Sequence, residues 1–439
     1  MSGTKVVKFG GSSLADANQF KKVADIIRRD KNRRFVVASA PGKRNDKDIK
    51  ITDMLYQCYD KATRGDDFEL EFAAIEERYI SIIKELSLDI SLEEEFKFIK
   101  AAFAHSAGRD YAASRGEYLN SILLAKYLGF PFLDTVGLLY FNESGEFDLE
   151  RTISKLAPKL EQMENAVIPG FYGSMPNDTI KTFSRGGSDV TGSIVARAVN
   201  AEIYENWTDV SGFLICDPRI VKDPEPITTI TYRELRELSY MGATVLHEDA
   251  IFPVRTVGIP INIKNTNHPE DPGTMIVAQT VESSPYVITG IAGRRGFSVI
   301  NIEKDMMNSE LGFGRNVLRA LEKNNLCFEH IPSGIDTLSV IVSTEAFCGK
   351  EKAVLDEITF RTHPDNIEIE DNLALVAVVG RGMRKARGTA AKIFTALAQA
   401  KINVKMIDQG SSELNIIIGV AEEDFEEAMK AIYHIFVMN

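Results

Sequence analysis

The chain has 439 residues, 44% of them hydrophobic and 26% charged, with a net charge of -12. These are the proportions of a globular protein long enough for two or three cores. The acidity argues against a nucleic acid or an anionic membrane as partner, because a polyanion needs a basic surface, and no apolar run approaches the roughly 20 residues that cross a bilayer. Cys58, Cys216, Cys327 and Cys348 form no CxxC pair, and no signal-like run precedes the first predicted strand. The expected setting is therefore cytoplasmic, with reduced thiols.

In chain order, the segments Val6 to Phe9, Phe35 to Ala38, Phe132 to Thr135, Ala166 to Pro169, Ile180 to Phe183, Glu202 to Thr208 and Ile261 to Lys264 read as strands with helical patterns between them. That alternation predicts an α/β fold around a largely parallel sheet. Residues 60–112, rich in Glu, Lys, Leu, Ile and Phe at helical spacing, read as a helical insertion at one edge of a site. From residue 285 the pattern changes to βαββαβ. Its elements are Phe297 to Glu303, Asn316 to Asn324, Cys327 to Ile331, Thr337 to Val342, Glu345 to Ile358 and Ile367 to Glu370. The order then repeats, without its last strand, in Leu373 to Val379, Lys385 to Lys401, Val404 to Gln409, Leu414 to Val420 and Asp424 to Phe436. The spare strand Tyr286 to Ile291 is expected to complete the second copy, packing the first inside it.

Chemistry concentrates where apolar runs end. Lys8-Phe9-Gly10-Gly11-Ser12-Ser13 and Ser184 to Ser193, which reads SRGGSDVTGS, are glycine-rich turns leading into helical stretches. Such turns aim backbone N–H groups and a helix N-terminus at phosphate oxygens. Neither is a Walker loop, because Lys8 precedes its glycines. Ser39-Ala40-Pro41-Gly42-Lys43, Ser114-Arg115-Gly116-Glu117 and Trp207-Thr208-Asp209-Val210-Ser211-Gly212 mark further turns or helix starts. Taken together these motifs resemble the aspartokinases of the amino-acid kinase superfamily, from Lys5 to about Met275 and again in the C-terminal third.

The resemblance implies a three-layer kinase domain over residues 1–283, a first ACT-like α+β domain over 297–370, and a second built from 284–296 and 371–439. It implies transfer of the ATP γ-phosphoryl group to the β-carboxylate of aspartate, with Mg²⁺. An aspartate side chain, with a reference pKa of about 3.9, needs no general base, so the demands are placement and charge neutralisation. Lys8 would bridge the transferring group, Gly10, Gly11 and Ser12 would offer amides, and Asp189 would orient Lys8 or approach Mg²⁺. Glu117 would take the substrate ammonium and Arg185 a carboxylate, with Ser39 and Thr52 nearby. Thr208, Asp209, Leu214, Arg219 and Thr244 would face the nucleotide.

Two of these depart from the family pattern. Leu214 stands where a tyrosine is common, and Thr244 where many relatives carry a lysine, for which Lys43, Arg44 or Lys264 could compensate. His247 reads as a packed histidine. An effector pocket is implied at Met306, Ser309, Gly312 and Phe313, with Glu329 or His330 meeting the effector side chain. The spacing resembles that of the lysine-sensitive, single-function type, and the resemblance implies a homo-oligomer, dimer or tetramer. A different amino-acid kinase and a catalytically weakened amino-acid sensor are the alternative readings; the Ser-Arg-Gly-Glu motif and the ACT-like tandem speak against the first, and ADP release in the presence of aspartate separates the second.

Overall fold

The computed structural model describes residues 3–184, 186–243, 245–246, 250–280 and 285–438. Two compact units form, the first from Met1–Phe213, Ile227–Tyr232 and Thr244–Thr280, the second from Leu214–Pro226, Arg233–Ala243 and Val281–Asn439. Arg185, Thr244 and His247 lie outside the described residues, as does the expected domain boundary near 283.

The strands of the first unit are β1 (Lys5–Phe9), β2 (Arg33–Ala38), β3 (Ala166–Pro169), β4 (Tyr172–Ser174), β5 (Ile180–Thr182), β6 (Ile203–Thr208), β7 (Thr229–Thr231), β8 (Ile261–Asn265) and β9 (Thr274–Val277). Seven of them make one sheet in the order β3-β2-β1-β6-β8-β9-β7, parallel except between β8 and β9. The central β1 carries Val6, Val7 and Phe9, all fully buried, as a strand covered on both faces requires. Its helices are α1 (Ala17–Arg28), α2 (Ile51–Arg64), α3 (Glu69–Glu85), α4 (Glu93–Ala104), α5 (Arg109–Leu128), α6 (Leu149–Glu161) and α7 (Gly187–Ala198).

Three expectations for this unit are corrected. The helical segment is a set of four helices, α2 to α5, not an insertion confined to 60–112. Edge-to-face contacts of Phe72 with Phe96 and Phe103, at 6.2 and 6.1 Å, give it a core continuous with the sheet. Phe132 to Thr135 supplies only a single bridge, Phe132 to Val167. The segment from Ile180 stops at Thr182 and pairs antiparallel with β4 as a separate ribbon.

In the second unit, α8 (Tyr232–Tyr240) continues the chain after β7, and α9 (Phe252–Arg255) returns it to the first unit. Then come β10 (Gly290–Glu303), α10 (Phe313–Lys323), β11 (Thr337–Ser343), α11 (Thr344–Phe347), α12 (Glu351–Thr362), β12 (Asn366–Val379), α13 (Thr389–Gln399), β13 (Val404–Asp408), β14 (Asn415–Ala421) and α14 (Phe425–Tyr433). The sheet is wholly antiparallel in the order β11-β10-β12-β14-β13.

The two βαββαβ copies share this one sheet because β10 and β12, 14 residues each, run through both. The strand that completes the second copy is Gly290–Arg294, paired with 375–379 and continuous with the first copy's strand, not a separate segment at Tyr286 to Ile291. Just before it, Thr289 N–H donates to Val379 O at 2.7 Å, and Gly380 packs directly on the backbone at Ile288, where a Cβ would meet Ile288 Cα at 2.7 Å. The expected strand Cys327 to Ile331 reduces to an isolated bridge from His330 to Ile341, followed by another from Ser333 to Leu338.

The second unit also takes in residues 214–226 and 233–243, which the expected boundary had left in the first domain. Hydrogen bonds account for this. Ile291 N–H donates to Ile215 O at 2.6 Å and Glu225 N–H to the Tyr433 hydroxyl at 3.0 Å. On α8, fully buried Glu234 receives the Thr289 hydroxyl at 2.6 Å and the Arg381 guanidinium at 3.0 Å, and Glu237 accepts from Asn415 at 2.6 Å.

Candidate active site

In a parallel sheet the C-terminal ends of neighbouring strands open on one crevice, where ligands bind. Here β1, β2 and β6 are neighbours, and their ends carry the turns that follow Phe9, Ala38 and Thr208. Lys8, at the end of β1, is 7% exposed, and its Nζ lies 2.5 Å from Asp189 Oδ1. Asn206 on β6 closes the group, accepting weakly from Lys8 Nζ at 3.5 Å and donating to Asp189 Oδ1 at 2.8 Å. Asp189 sits in the first turn of α7, where the helix dipole favours a carboxylate. Its side chain serves Lys8, and the N-cap position belongs to Gly186 in the left-handed region.

The two nearest turns are interlocked through their backbones. Gly42 N–H donates to Gly11 O at 2.8 Å, and a Cβ on Gly42 would meet Gly11 C at 2.6 Å while one on Gly11 would meet Ala40 O at 2.9 Å. Only glycine permits this approach. Gly10 N–H is taken by Trp207 O, and Ser13 and Leu14 donate back to Gly10 and Gly11. The amides of Gly11 and Ser12 have no such bond among the described residues, which suits them to an incoming anion.

Glu117, buried on helix α5, is the most perturbed carboxyl of the site. Burial pushes it up to about 8, against the opposing pull of the Ala40 amide and the positive charges of Arg115 and Lys8. Its Oε2 has no hydrogen-bond partner among the described residues. A carboxyl in that state is ready for a cation that would ionise it. Ser39 is half-buried beside it, with its carbonyl taken by Asn120 Nδ2 at 2.7 Å. Thr52 lies half-buried in the first turn of α2. Arg115, 6% exposed, is bracketed by the rings of Tyr111 and Tyr118 at 4.5 Å each.

The residues expected to face a nucleotide divide between the units. Thr208 and Asp209 close β6 in the first, joined by a 3.2 Å hydrogen bond. Leu214 and Arg219 lie in the second, on an open groove of about 540 Å³ that Lys222 and Asp223 also line. Arg219 is held by Asp217 at 2.6 Å and is otherwise exposed. Of the candidates to replace a cation at Thr244, Lys264 is packed over Trp207, its Nζ donating to Asp271 O at 2.8 Å, and burial lowers its pKa. Arg44 is exposed and bound to Asp48, and Lys43 is exposed.

The expected effector residues fall into two groups. Met306 and Gly312 occupy the left-handed region, Met306 and Ser309 are exposed, and the turn is tied to the residues before β11 by Met306 N–H to Asp336 at 2.9 Å. Phe313, by contrast, is a core residue, 4% exposed. Glu329 and His330 flank β11 at Ile341, with Glu329 accepting from the Tyr240 hydroxyl and His330 Nδ1 2.6 Å from Asp408. Glu310 is paired with Lys304 at 2.5 Å. The sequence reading missed Asn206, Arg115 and Arg78, since a strand asparagine and a lone helix arginine carry no spacing signal; Arg115 lay in a motif but had no role assigned.

The amino acid kinase family model matches residues 3–265, and an ACT domain model matches 376–436. Aspartokinase 3 of Bacillus subtilis is 39% identical, over 98% of each chain. The crystal structure of Clostridium acetobutylicum aspartate kinase, an allosteric enzyme, is 53% identical with a TM-score of 0.90, covering 98% of this chain and 99% of that one. Aspartokinase III of Escherichia coli has been solved with aspartate and ADP (R-state), at 26% identity and TM-score 0.77 over 99% and 100% of the chains. The same enzyme with lysine and aspartate (T-state) gives 27% and 0.75 over 98% and 99%.

The Glu117 assignment has a pH signature. A carboxyl raised from 4.5 to about 8 keeps its proton in the folded state while the unfolded chain releases it, so stability falls as pH rises through that window. Glu117→Gln should therefore gain on the wild type progressively between about pH 5 and 8, read as urea midpoints; a difference that does not change with pH would place Glu117 in the ordinary carboxylate range.

Proposed function

The chain belongs to the aspartokinases, within the amino acid kinase family, and from that premise we propose how its residues carry phosphoryl transfer from ATP to aspartate. The β-carboxylate oxygen of aspartate attacks the γ-phosphorus, the bond to the β,γ-bridging oxygen breaks, and ADP leaves; no proton moves. Both reactants are anionic, so the barrier is lowered by fixed positive charge placed where negative charge develops. Lys8 is that charge. Asp189 and Asn206 keep its ammonium at the end of β1, and the Gly11 and Ser12 amides take phosphate oxygens beside it.

Glu117 meets the substrate ammonium. A neutral, buried carboxyl, one oxygen of which is unpartnered among the described residues, becomes an ion pair when the cation arrives, releasing its proton. Arg185 takes a substrate carboxylate in bidentate fashion, and Ser39 and Thr52 line the same side. Thr208 and Asp209 face the nucleoside. No group of three His, Cys, Asp or Glu side chains among the described residues could cage a metal. A Mg²⁺ ion would be carried by the ATP phosphates, with Asp189 as the carboxylate that would approach it, and would neutralise phosphate charge.

The observation that carries this reading is the buried Lys8–Asp189–Asn206 group beside the interlocked glycine turns. Lys8→Ala should cut kcat by about 100- to 1,000-fold, the usual cost of one transition-state contact, with the fold intact by circular dichroism. A variant keeping more than about a tenth of wild-type kcat would remove Lys8 from the mechanism.

For regulation we propose lysine as the inhibitor of a homo-oligomer, bound at the rim formed by Met306, Ser309 and Gly312 over Phe313, with Glu329 or His330 near its side chain. The E. coli enzyme solved with lysine supports the choice. A lysine ammonium would be taken by the carboxylates that now hold Lys304 and Tyr240. Inhibition requires that lysine favour a state less able to turn over. With aspartate-derived amino acids added singly to a coupled assay, lysine should inhibit, and Ser309→Leu should relieve the inhibition at unchanged basal kcat. Inhibition by threonine alone, or full lysine sensitivity in the variant, would contradict this pocket.

A further inference from the structure

The helices α2 to α5 bring one more charge to the site. Arg78 on α3 is 4% exposed, deep in the first unit, and burial lowers its pKa. Its guanidinium spans three points of the site's loops. Nη2 donates to Gly42 O at 2.5 Å, Nε to Ala15 O at 3.4 Å, and Nη1 lies 2.8 Å from Asp48. Ala15 ends the short helical turn after the glycines, and Gly42 is the residue interlocked with Gly11. Asp48 closes the 42–50 loop, accepting from the Arg44 backbone N–H and side chain as well. The next residue, Tyr79, donates to Gly116 O at 2.9 Å, on the helix that carries Glu117, and Gly116 is pressed on Ala40 so closely that a Cβ would come within 2.7 Å.

A buried guanidinium is costly unless its donors are used, and here two of them go to loop carbonyls of the phosphate side. Packing alone would be served better by an aliphatic side chain. We propose that Arg78 is a positioning residue for phosphoryl transfer. It clamps the Gly10–Ala15 turn and the Ser39–Asp48 loop into one rigid unit, fixing the Gly11 and Ser12 amides relative to Lys8. Arg44, sharing the Asp48 carboxylate from the exposed side, is the adjustable member. Lysine cannot replace Arg78, because a single ammonium cannot reach two carbonyls and a carboxylate in a planar fork. The inference rests on the assignment of the glycine turn to phosphate, which Lys8→Ala tests separately.

The test is steady-state kinetics with thermal unfolding on full-length Arg78→Lys and Asp48→Asn. The clamp predicts that Arg78→Lys loses on the order of 10- to 100-fold in kcat/KM for ATP, as a misplacement near 1 Å produces. Asp48→Asn should raise KM for ATP several-fold in the folded enzyme, over and above the lower unfolding temperature that loss of the buried pair brings. A merely structural role predicts a lowered unfolding temperature with unchanged kcat and KM per folded enzyme, and that result overturns the proposal. If Arg78→Lys does not fold, Asp48→Asn decides, and an unchanged KM for ATP overturns it. Wild-type kinetics in both variants beside an inactive Lys8→Ala would remove the clamp and leave the phosphate assignment standing.

Discussion

The site depends on keeping charges ready in a place from which water is largely excluded. Joining two anions requires fixed cations and amides at close range, and those groups must be stable before substrate arrives. The structure meets this by pairing. Lys8 holds Asp189 at 2.5 Å, Arg78 holds Asp48 at 2.8 Å, and Glu117, whose Oε2 has no hydrogen-bond partner among the described residues, is pushed up to about 8 by burial instead. Burying an unpaired charge costs several kcal/mol, so each of these groups constrains the backbone around it.

The backbone constraint is equally specific. Gly11 and Gly42 approach so closely that neither tolerates a side chain, and the same holds where Gly116 meets Ala40. Loops that would otherwise be the softest part of an α/β fold are thus tied to β1, β6 and α3. The second unit shows the same economy at larger scale. Its two ACT-like copies are joined through β10 and β12, and it holds residues 214–226, with Arg219, by main-chain bonds at Ile215 and Glu225. Leu214 and Arg219, two of the residues that the family pattern assigns to the nucleotide, therefore belong to the same compact body as the ACT-like sheet.

Much of this was legible in the sequence because its signals are local. Val6 to Phe9 and Phe35 to Ala38 are apolar runs ended by glycine turns, and both became central strands. The βαββαβ repeat was visible as a recurring order of patterns. Long-range pairing was not legible. Nothing in Phe132 to Thr135 announces that its pairing ends after one bridge, and nothing in Gly290 to Glu303 says that one strand would serve two copies. Lys8 and Glu117 stood out through their motifs, whereas Arg78 and Asn206 act through contacts 17 to 198 residues away in sequence, which no spacing rule contains. Phe313 shows the converse, a motif residue whose side chain the core has claimed.

The central claim is that Glu117 waits as a neutral acid and ionises when the substrate ammonium reaches it. Calorimetric titration of aspartate into the full-length enzyme at pH 7, repeated in buffers of different ionisation enthalpy, measures the protons exchanged on binding. The account predicts release of a proton, approaching one per site, in the wild type and none in Glu117→Gln. A wild-type binding enthalpy that does not depend on the buffer would contradict it.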